Sequence, residues 1–284
     1  MAERSPTEEV LDSTRDIDRW SLDRILRAIH EEDRNAYSAV SDALADVERA
    51  AEVLSVALAG GGRWFNVGAG TSGRIGALDA AEIPPTFGLP AERVQAIVAG
   101  GQAALLRAVE GAEDHPERAA FELKERGLAP GDAVVAISAS GTTPFTLGSL
   151  EAAHEVGART IGITCNPGSP LAEGAEVPIV LRVGPEVIAG STRMKGGLAQ
   201  KMVLHLLSTS VMIRLGFVSG NLMANLRPAS EKLKDRAVRI LMTLGRLDRP
   251  SAIALLETCG GDVALASQRA QEGLRRAPGE GRLP

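Results

Sequence analysis

The stretch RWFNVGAGTSGRIGALDAAE, residues 63 to 82, decides the fold, because it runs from a short apolar segment through a glycine-rich turn into a helical pattern. Residues 64 to 67 are mostly apolar and end at a glycine, as expected of a buried parallel strand. Three glycines that let the backbone turn tightly and approach a ligand follow: Gly68, Gly70 and Gly73. Thr71 and Ser72 lie between the last two of these glycines, where a helix is predicted to begin. This pattern is typical of an ordinary helix cap, and it also favours phosphate binding at a helix N-terminus.

The same glycines match the G-x-G-x-x-G pattern of dinucleotide-binding proteins, which is the main alternative. That class places an acidic residue about 20 positions further on, at the end of the second strand. Here the second strand, predicted at residues 94 to 99, is followed by Gly100 and Gly101 instead of a carboxylate. The sequence therefore favours a phosphate site over a dinucleotide site.

Composition is that of a globular protein: of 284 residues, 44% are hydrophobic and 24% are charged. The net charge of −5 argues against nucleic acid as a partner. The cysteines and histidines lack metal-ligand spacing, so we expect no metal site and no disulfide. We see neither a secretory signal nor an apolar run that would span a membrane, so the expected location is cytoplasmic.

Strand and helix patterns alternate beyond residue 63, which predicts an α/β fold with a parallel sheet covered by helices on both faces. The strands are predicted at residues 64–67, 94–99, 132–138, 160–164 and 177–183. Helical patterns precede them, and three short helical patterns follow Pro228. We therefore divide the chain into an N-terminal helical segment (1–58), the α/β domain (59–228) and a C-terminal helical subdomain (229–284).

The ends of the chain are also interpreted from the pattern. Residues up to about 14 are expected to form a flexible lead-in, and helices are expected at about 17 to 29 and 35 to 58. The tail from residue 277 is expected to be disordered.

A second hydroxyl-rich turn, SASGTTP, follows the predicted third strand at residues 138 to 144. It offers four hydroxyl groups around Gly141: Ser138, Ser140, Thr142 and Thr143. In sheets of this kind ligands bind beyond the carboxyl ends of the strands, so the two turns are expected at one edge. Polar turns also occur without a ligand. Two of them at one edge favour a shared phosphate site.

Two glutamates stand near these turns. Glu82 is expected to end the helix after the first turn, because Ile-Pro-Pro follows it. Glu113 lies in a predicted break between helices near the end of the second strand. Either alone is consistent with an ordinary solvated side chain. A pair beside one phosphate site would allow proton removal at one atom and proton donation at another.

Six ordered motifs carry a family resemblance: NVGAGTSGRIG at 66–76, LDAAEIPPTFG at 78–88, EGAED at 110–114, ISASGTTP at 137–144, TCNPG at 164–168 and GSTRMK at 190–195. In these the chain resembles the N-acetylmuramic acid 6-phosphate etherases of the sugar isomerase (SIS) superfamily. The main departures, Ile83 and Thr192, affect no residue with an assigned role. The resemblance implies a SIS domain followed by a small three-helix unit similar to ubiquitin-associated domains.

The resemblance implies cleavage of the D-lactyl ether of the phosphorylated amino sugar during recycling of cell-wall sugars, without a cofactor. In the implied elimination and hydration, Glu82 protonates the leaving lactate oxygen and Glu113 removes the C2 proton. From the two hydroxyl-rich turns and the cations near residue 193, the expected substrate-binding residues are Thr71, Ser72, Ser138, Ser140, Thr142, Arg193 and Lys195. For the last two, the alternative is that they are ordinary surface cations.

A helix predicted from about residue 193 to 215 is nearly all apolar in its middle, which indicates burial on every side. The covering partner is either the domain's own core or a second subunit, and the resemblance implies a homodimer. Two other functions stay open: a non-catalytic sugar-phosphate sensor and an aldose–ketose isomerase. The carboxyl pair favours the etherase, and release of lactate would distinguish the three.

Overall fold

The computed structural model describes residues 5–226, 228 and 230–276. The chain forms two compact units. The first consists of the residues up to Ala80 together with Glu92–Val211, and the second of Ala81–Ala91 together with the residues from Met212 onward. The N-terminal helices thus belong to the same unit as the sheet. The three-segment division drawn from the sequence stays a prediction.

The first unit contains a five-stranded parallel sheet in the order β2-β1-β3-β4-β5. Its strands are β1 Trp64–Gly68, β2 Val94–Val98, β3 Ala133–Ile137, β4 Arg159–Thr164 and β5 Val177–Val180. Every residue of β1 and β3 is buried. Because successive strand residues point to opposite faces, both faces of the sheet are covered. The predicted α/β fold is confirmed, although β5 is shorter than expected.

Nine helices start within the first unit: α1 Leu22–Glu32, α2 Arg34–Asp42, α3 Leu44–Ala59, α4 Gly70–Phe87, α5 Ala103–Leu106, α6 Pro116–Glu125, α7 Pro144–Val156, α8 Pro170–Gly174 and α9 Lys195–Arg214. Three more pack around a common apolar cluster in the second unit: α10 Glu231–Gly245, α11 Arg249–Thr258 and α12 Val263–Arg276. These counts refer to the described residues. None of their helices is long and apolar enough to cross a bilayer.

The predicted end of α4 at Glu82 is wrong, because the helix continues through Pro84 and Pro85 to Phe87. Each proline fixes φ near the helical value, but it also removes an amide donor and crowds the carbonyl four residues earlier, so the last turn of α4 forms at a cost. The helix ends at Gly88, which has φ 74° and donates its N–H to the Pro84 carbonyl at 2.9 Å. A glycine cap therefore sets the boundary.

The N-terminal region also differs from the prediction. The single helix expected from 35 to 58 is interrupted at Ala43, whose φ of −93° and ψ of 3° lie outside the helical region. The expected flexible lead-in instead contains short 3-10 turns and two buried threonines, Thr7 and Thr14. We call residues 5–20 the N-terminal strap. The tail from residue 277, expected to be disordered, lies outside the described residues.

Candidate functional site

The first glycine-rich turn connects β1 to α4. A β-carbon on Gly73 would lie 2.5 Å from the carbonyl oxygen of Gly68, so only glycine permits this close approach. Thr71 and Ser72 then occupy the first turn of α4, and Ser72 is buried. The first amides of a helix lack intrahelical acceptors and attract anions. The two hydroxyl groups thus lie at the start of a helix, as expected from the sequence.

The second turn connects β3 to α7 and gathers its hydroxyl groups into one cluster. Ser138 Oγ lies 2.8 Å from Thr143 Oγ1 and 3.1 Å from Ser140 Oγ. Thr142 donates to Ser140 Oγ through both its backbone N–H and its hydroxyl. Gly141, with φ 70°, allows the backbone to fold around the cluster. Groups that now bond to one another are close enough to bond to one phosphate.

The two turns lie side by side at the carboxyl edge of the sheet. β1 and β3 are parallel neighbours, and Gly68 pairs with Ile137 in register. Ser138 therefore leaves β3 at the level where the glycine-rich turn leaves β1. The structure brings the two turns together as expected from the sequence, and their binding of phosphate stays a prediction.

Glu113 lies on the loop beside the first turn. It belongs to a 3-10 turn, Ala112–Asp114, and its side chain is exposed. A cavity of about 160 Å³ is lined by the glycine-rich turn, the end of β2 and this loop, including Gly70, Glu110 and Glu113. A carboxylate therefore faces the same cavity as the helix N-terminus that carries the hydroxyl groups.

Arg74 lines the same cavity and was missed by sequence reasoning. Its Nε donates to the carbonyl oxygen of Ala104 at 2.8 Å, and its Nη2 donates to that of Arg107 at 3.2 Å. These carbonyls belong to α5 and to the residue that caps it, directly before the loop that leads to Glu113. Arg74 thus ties this loop to α4. The sequence signal that could have identified Arg74 is a single basic residue inside the glycine-rich motif.

Glu82 lies on α4, within the second compact unit, and its side chain is exposed. The adjacent Ile83 is buried, so the helix turns Glu82 away from its apolar side. The helix end expected after Glu82 is wrong, because α4 continues to Phe87. The catalytic role of Glu82 stays a prediction.

The two predicted cations have different surroundings. Arg193 is exposed in the loop before α9. Lys195 is only 1% exposed, and its Nζ donates to Glu32 Oε2 at 2.5 Å. Lys195 is therefore not an ordinary surface cation, and its charge already has a partner within the protein. A role for either residue in binding substrate stays a prediction.

A buried carboxylate that sequence reasoning missed, Glu186, lies at the start of α9. Its oxygens accept hydrogen bonds from the backbone N–H groups of Lys195 at 3.0 Å and Gly196 at 2.9 Å. Burial raises the pKa of Glu186, while these hydrogen bonds and the charge of Lys195 oppose the shift. An isolated glutamate in a loop gives no sequence signal of such a role.

Cys165 lies near Glu186, and both cysteines of the chain are free. Burial raises the pKa of Cys165 to about 12, with a further contribution from the charge of Glu186. This thiol is therefore protonated near neutral pH and is a poor nucleophile. Among the described residues, no group of three histidine, cysteine, aspartate or glutamate side chains is placed to hold a metal ion.

Comparison with known domains agrees with the fold. Residues 46–154 match the glucokinase regulatory protein N-terminal SIS domain, and residues 119–229 match the SIS domain. A phosphoheptose isomerase from Francisella tularensis is similar with a TM-score of 0.52 and 22% identity, covering 68% of this chain and 99% of its own. A protein of Escherichia coli gives a TM-score of 0.53 and 18% identity, covering 71% of this chain and 97% of its own. These likenesses show the fold.

Relatives in sequence identify the family. The N-acetylmuramic acid 6-phosphate etherase of Gloeobacter violaceus is 48% identical over 94% of this chain and 89% of its own length. Proteins of the same name from Symbiobacterium thermophilum and Clostridium botulinum are 48% and 45% identical over 93% and 92% of this chain, and over 87% and 86% of their own lengths. Identity of this extent shows that the chain belongs to the N-acetylmuramic acid 6-phosphate etherase family.

Proposed function

We propose that this protein is a lyase that cleaves the D-lactyl ether of N-acetylmuramic acid 6-phosphate, giving N-acetylglucosamine 6-phosphate and D-lactate, in the cytoplasmic recycling of cell-wall amino sugars. The observation that carries the proposal is the position of Glu113 beside a hydroxyl-rich helix start, in a chain whose relatives bear the etherase name. No cofactor takes part in the proposed reaction.

The phosphate group of the substrate is bound by the two hydroxyl-rich turns. Five hydroxyl groups are assigned to it: Thr71, Ser72, Ser138, Ser140 and Thr142. The N-terminal amides of α4 add donors and a favourable dipole. Arg193, exposed before α9, and Lys195 are assigned to the substrate's negative charges, although Lys195 would have to share its ammonium with Glu32.

The reaction proceeds by elimination followed by addition of water. In the open-chain sugar the C1 aldehyde acidifies C2, because negative charge delocalises onto the carbonyl oxygen. Glu113 takes the C2 proton, and the C3–O bond breaks as Glu82 gives a proton to the ether oxygen, releasing D-lactate. Water then adds at C3 of the unsaturated aldehyde, and a proton returns to C2. Because an alkoxide is a poor leaving group, protonation by an acid is essential.

A coupled assay for D-lactate with the purified protein and N-acetylmuramic acid 6-phosphate tests the function. Sustained release of lactate supports the proposal. Turnover of fructose 6-phosphate without lactate would identify an isomerase instead. Tight binding without turnover would favour a regulatory sensor, the alternative suggested by the match to the glucokinase regulatory protein domain.

The phosphate assignment predicts that Ser72→Ala and Ser138→Ala each weaken substrate binding by about 1.5–3 kcal/mol, as for hydrogen bonds to a charged acceptor. The measurement is the affinity for N-acetylglucosamine 6-phosphate by calorimetry. Ser41→Ala, an exposed serine on α2, serves as the matched control and should bind normally. Normal affinity in both site variants would remove the turns from the proposal.

We also propose a homodimer, from apolar surface left open in the single chain. α1 has no buried residue, and Leu22 and Leu26 are 71% and 58% exposed. The prediction that α9 is buried on every side is wrong for one chain, because Leu198 is 40% exposed and His205 is exposed. Exposed apolar side chains grouped on helices are typical of interfaces.

Light scattering at micromolar concentration is expected to give the mass of two chains. Leu26→Glu is expected to shift the mass towards one chain, because the charge would be buried without a partner at the interface. Phe121→Glu, a similarly exposed apolar position on α6, is the control and should leave the mass unchanged. A monomeric mass for the unmodified protein would exclude the dimer.

A further inference from the structure

We infer that the N-terminal strap positions the second hydroxyl-rich turn for phosphate binding, with Thr7 and Asn166 as the positioning residues. The inference rests on the proposed function, because it takes the turn at Ser138 and Ser140 to bind the substrate's phosphate. The strap itself need not touch the substrate.

The buried side chain of Asn166, two residues after β4, joins the strap to the turn. Its Nδ2 donates to the Ser140 carbonyl oxygen at 3.1 Å and to Thr7 Oγ1 at 2.8 Å. Its Oδ1 accepts the backbone N–H of Thr7 at 3.3 Å. The side-chain amide of Asn166 therefore bonds to Thr7 through both its nitrogen and its oxygen. The same nitrogen also holds the backbone of the turn. Loss of the Thr7 hydroxyl would leave a buried amide hydrogen without its acceptor.

The strap is also bound to the loop that leads to Arg193. The backbone N–H of Gly190 donates to the Thr7 carbonyl oxygen at 3.2 Å, and Thr14 Oγ1 donates to the Val187 carbonyl oxygen at 3.0 Å. Thr7 thus contacts both the hydroxyl-rich turn, through Asn166, and the loop before α9. The strap connects two segments that the proposed function assigns to the substrate's charged groups.

The nature of these contacts favours positioning over simple stabilisation of the core. Within the strap only Thr7 and Thr14 are buried, and both are attached through hydrogen bonds. Hydrogen bonds depend steeply on distance and angle, whereas apolar burial is insensitive to direction. The apolar residues of the strap, such as Leu11 and Trp20, are only partly buried, so these hydrogen bonds set its position and restrict where the Ser140 carbonyl can lie.

Thr7→Val removes the hydroxyl with little change of shape, and Thr7→Ser restores it. In Thr7→Val we expect the KM for N-acetylmuramic acid 6-phosphate and the inhibition constant of inorganic phosphate to rise about five- to tenfold, as for the loss of one buried hydrogen bond. We expect kcat to change by less than about twofold, because the proposed acid and base lie on other segments. Thr7→Ser should match the unmodified enzyme. A merely structural threonine would lower Tm without this split.

Thermodynamic linkage between the order of the strap and phosphate binding allows a second measurement, which uses the unmodified protein. If an ordered strap favours phosphate binding, bound phosphate must favour the ordered strap by the same factor. Saturating N-acetylglucosamine 6-phosphate should therefore slow hydrogen exchange at the Thr7 amide. Exchange there that is insensitive to the ligand would overturn the inference, even if Thr7→Val failed to fold.

The outcomes separate this inference from the function on which it rests. Normal KM in Thr7→Val together with weaker binding in Ser138→Ala would overturn the role of the strap and leave the phosphate site intact. Normal binding in both variants would remove the phosphate site, and the strap's role with it. Raised KM in Thr7→Val and Ser138→Ala, with normal Thr7→Ser, is the expected result.

Discussion

Glu113→Gln is expected to lose nearly all D-lactate release and nearly all exchange of the substrate's C2 proton with deuterated solvent. The amide keeps the shape of the carboxylate but cannot accept the proton, so no charge develops at C2 and the C3–O bond has nothing to drive its cleavage. Removal of a general base typically costs a factor of about 10²–10⁴ in rate. The measurements are the lactate assay and proton exchange by NMR.

Glu110 provides a matched control, because it lines the same cavity three residues earlier in the chain. Glu110→Gln makes the same change of charge in the same loop, and we expect it to keep most of the activity. Equal losses in the two variants would show that the cavity needs negative charge in general, and would contradict the assignment of Glu113 as the base.

Glu82→Gln is expected to fail differently, because its carboxyl group acts on the leaving oxygen. Lactate release should fall by a similar factor of about 10²–10⁴, while exchange at C2 continues because the base is intact. Exchange that survives in Glu113→Gln and vanishes in Glu82→Gln would reverse the two assignments. Exchange and release that both survive in either variant would show that its residue is not catalytic.

A substrate analogue with a better leaving group sharpens this distinction. If lactate is replaced by a phenol, the departing oxygen is stable as an anion and needs less help from an acid. Glu82→Gln should then recover much of its elimination rate, whereas Glu113→Gln should not. Equal recovery in the two variants would argue against separate acid and base roles.

The sheet and its turns were predictable because their signals are local. β1 and β3 are short buried strands, so each shows as an apolar run of the right length ending before a turn. Ser138 stands directly after one such run, and Ser72 follows the other within the glycine-rich turn. The rule that parallel strands present their carboxyl ends at one edge brings the two serines together. The strands and the neighbouring position of the two turns could thus be inferred without knowledge of any contact between distant residues.

The features that were missed depend on contacts that no helix or strand pattern in the sequence indicates. Thr7 is ordered by Asn166, which is 159 residues away in sequence, so an apparently plain N-terminal segment gave no sign of its anchoring. The role of Glu186 becomes clear only when the first amides of α9 are known to donate to its carboxylate. At Pro84 a local rule gave the wrong boundary, since helical φ is compatible with proline and Gly88 supplied the stop.

The carboxylate at the start of α9 also shapes the electrostatic potential of the sheet edge. α9 begins beside the first turn, since a β-carbon on Gly197 would lie 3.1 Å from Thr71 Cγ2. A free helix start carries about half a positive elementary charge and would compete for an incoming phosphate. Glu186 already occupies the amides of Lys195 and Gly196. These two amides of α9 are therefore not free to bind an incoming phosphate, which leaves the starts of α4 and α7 as the expected backbone sites for it.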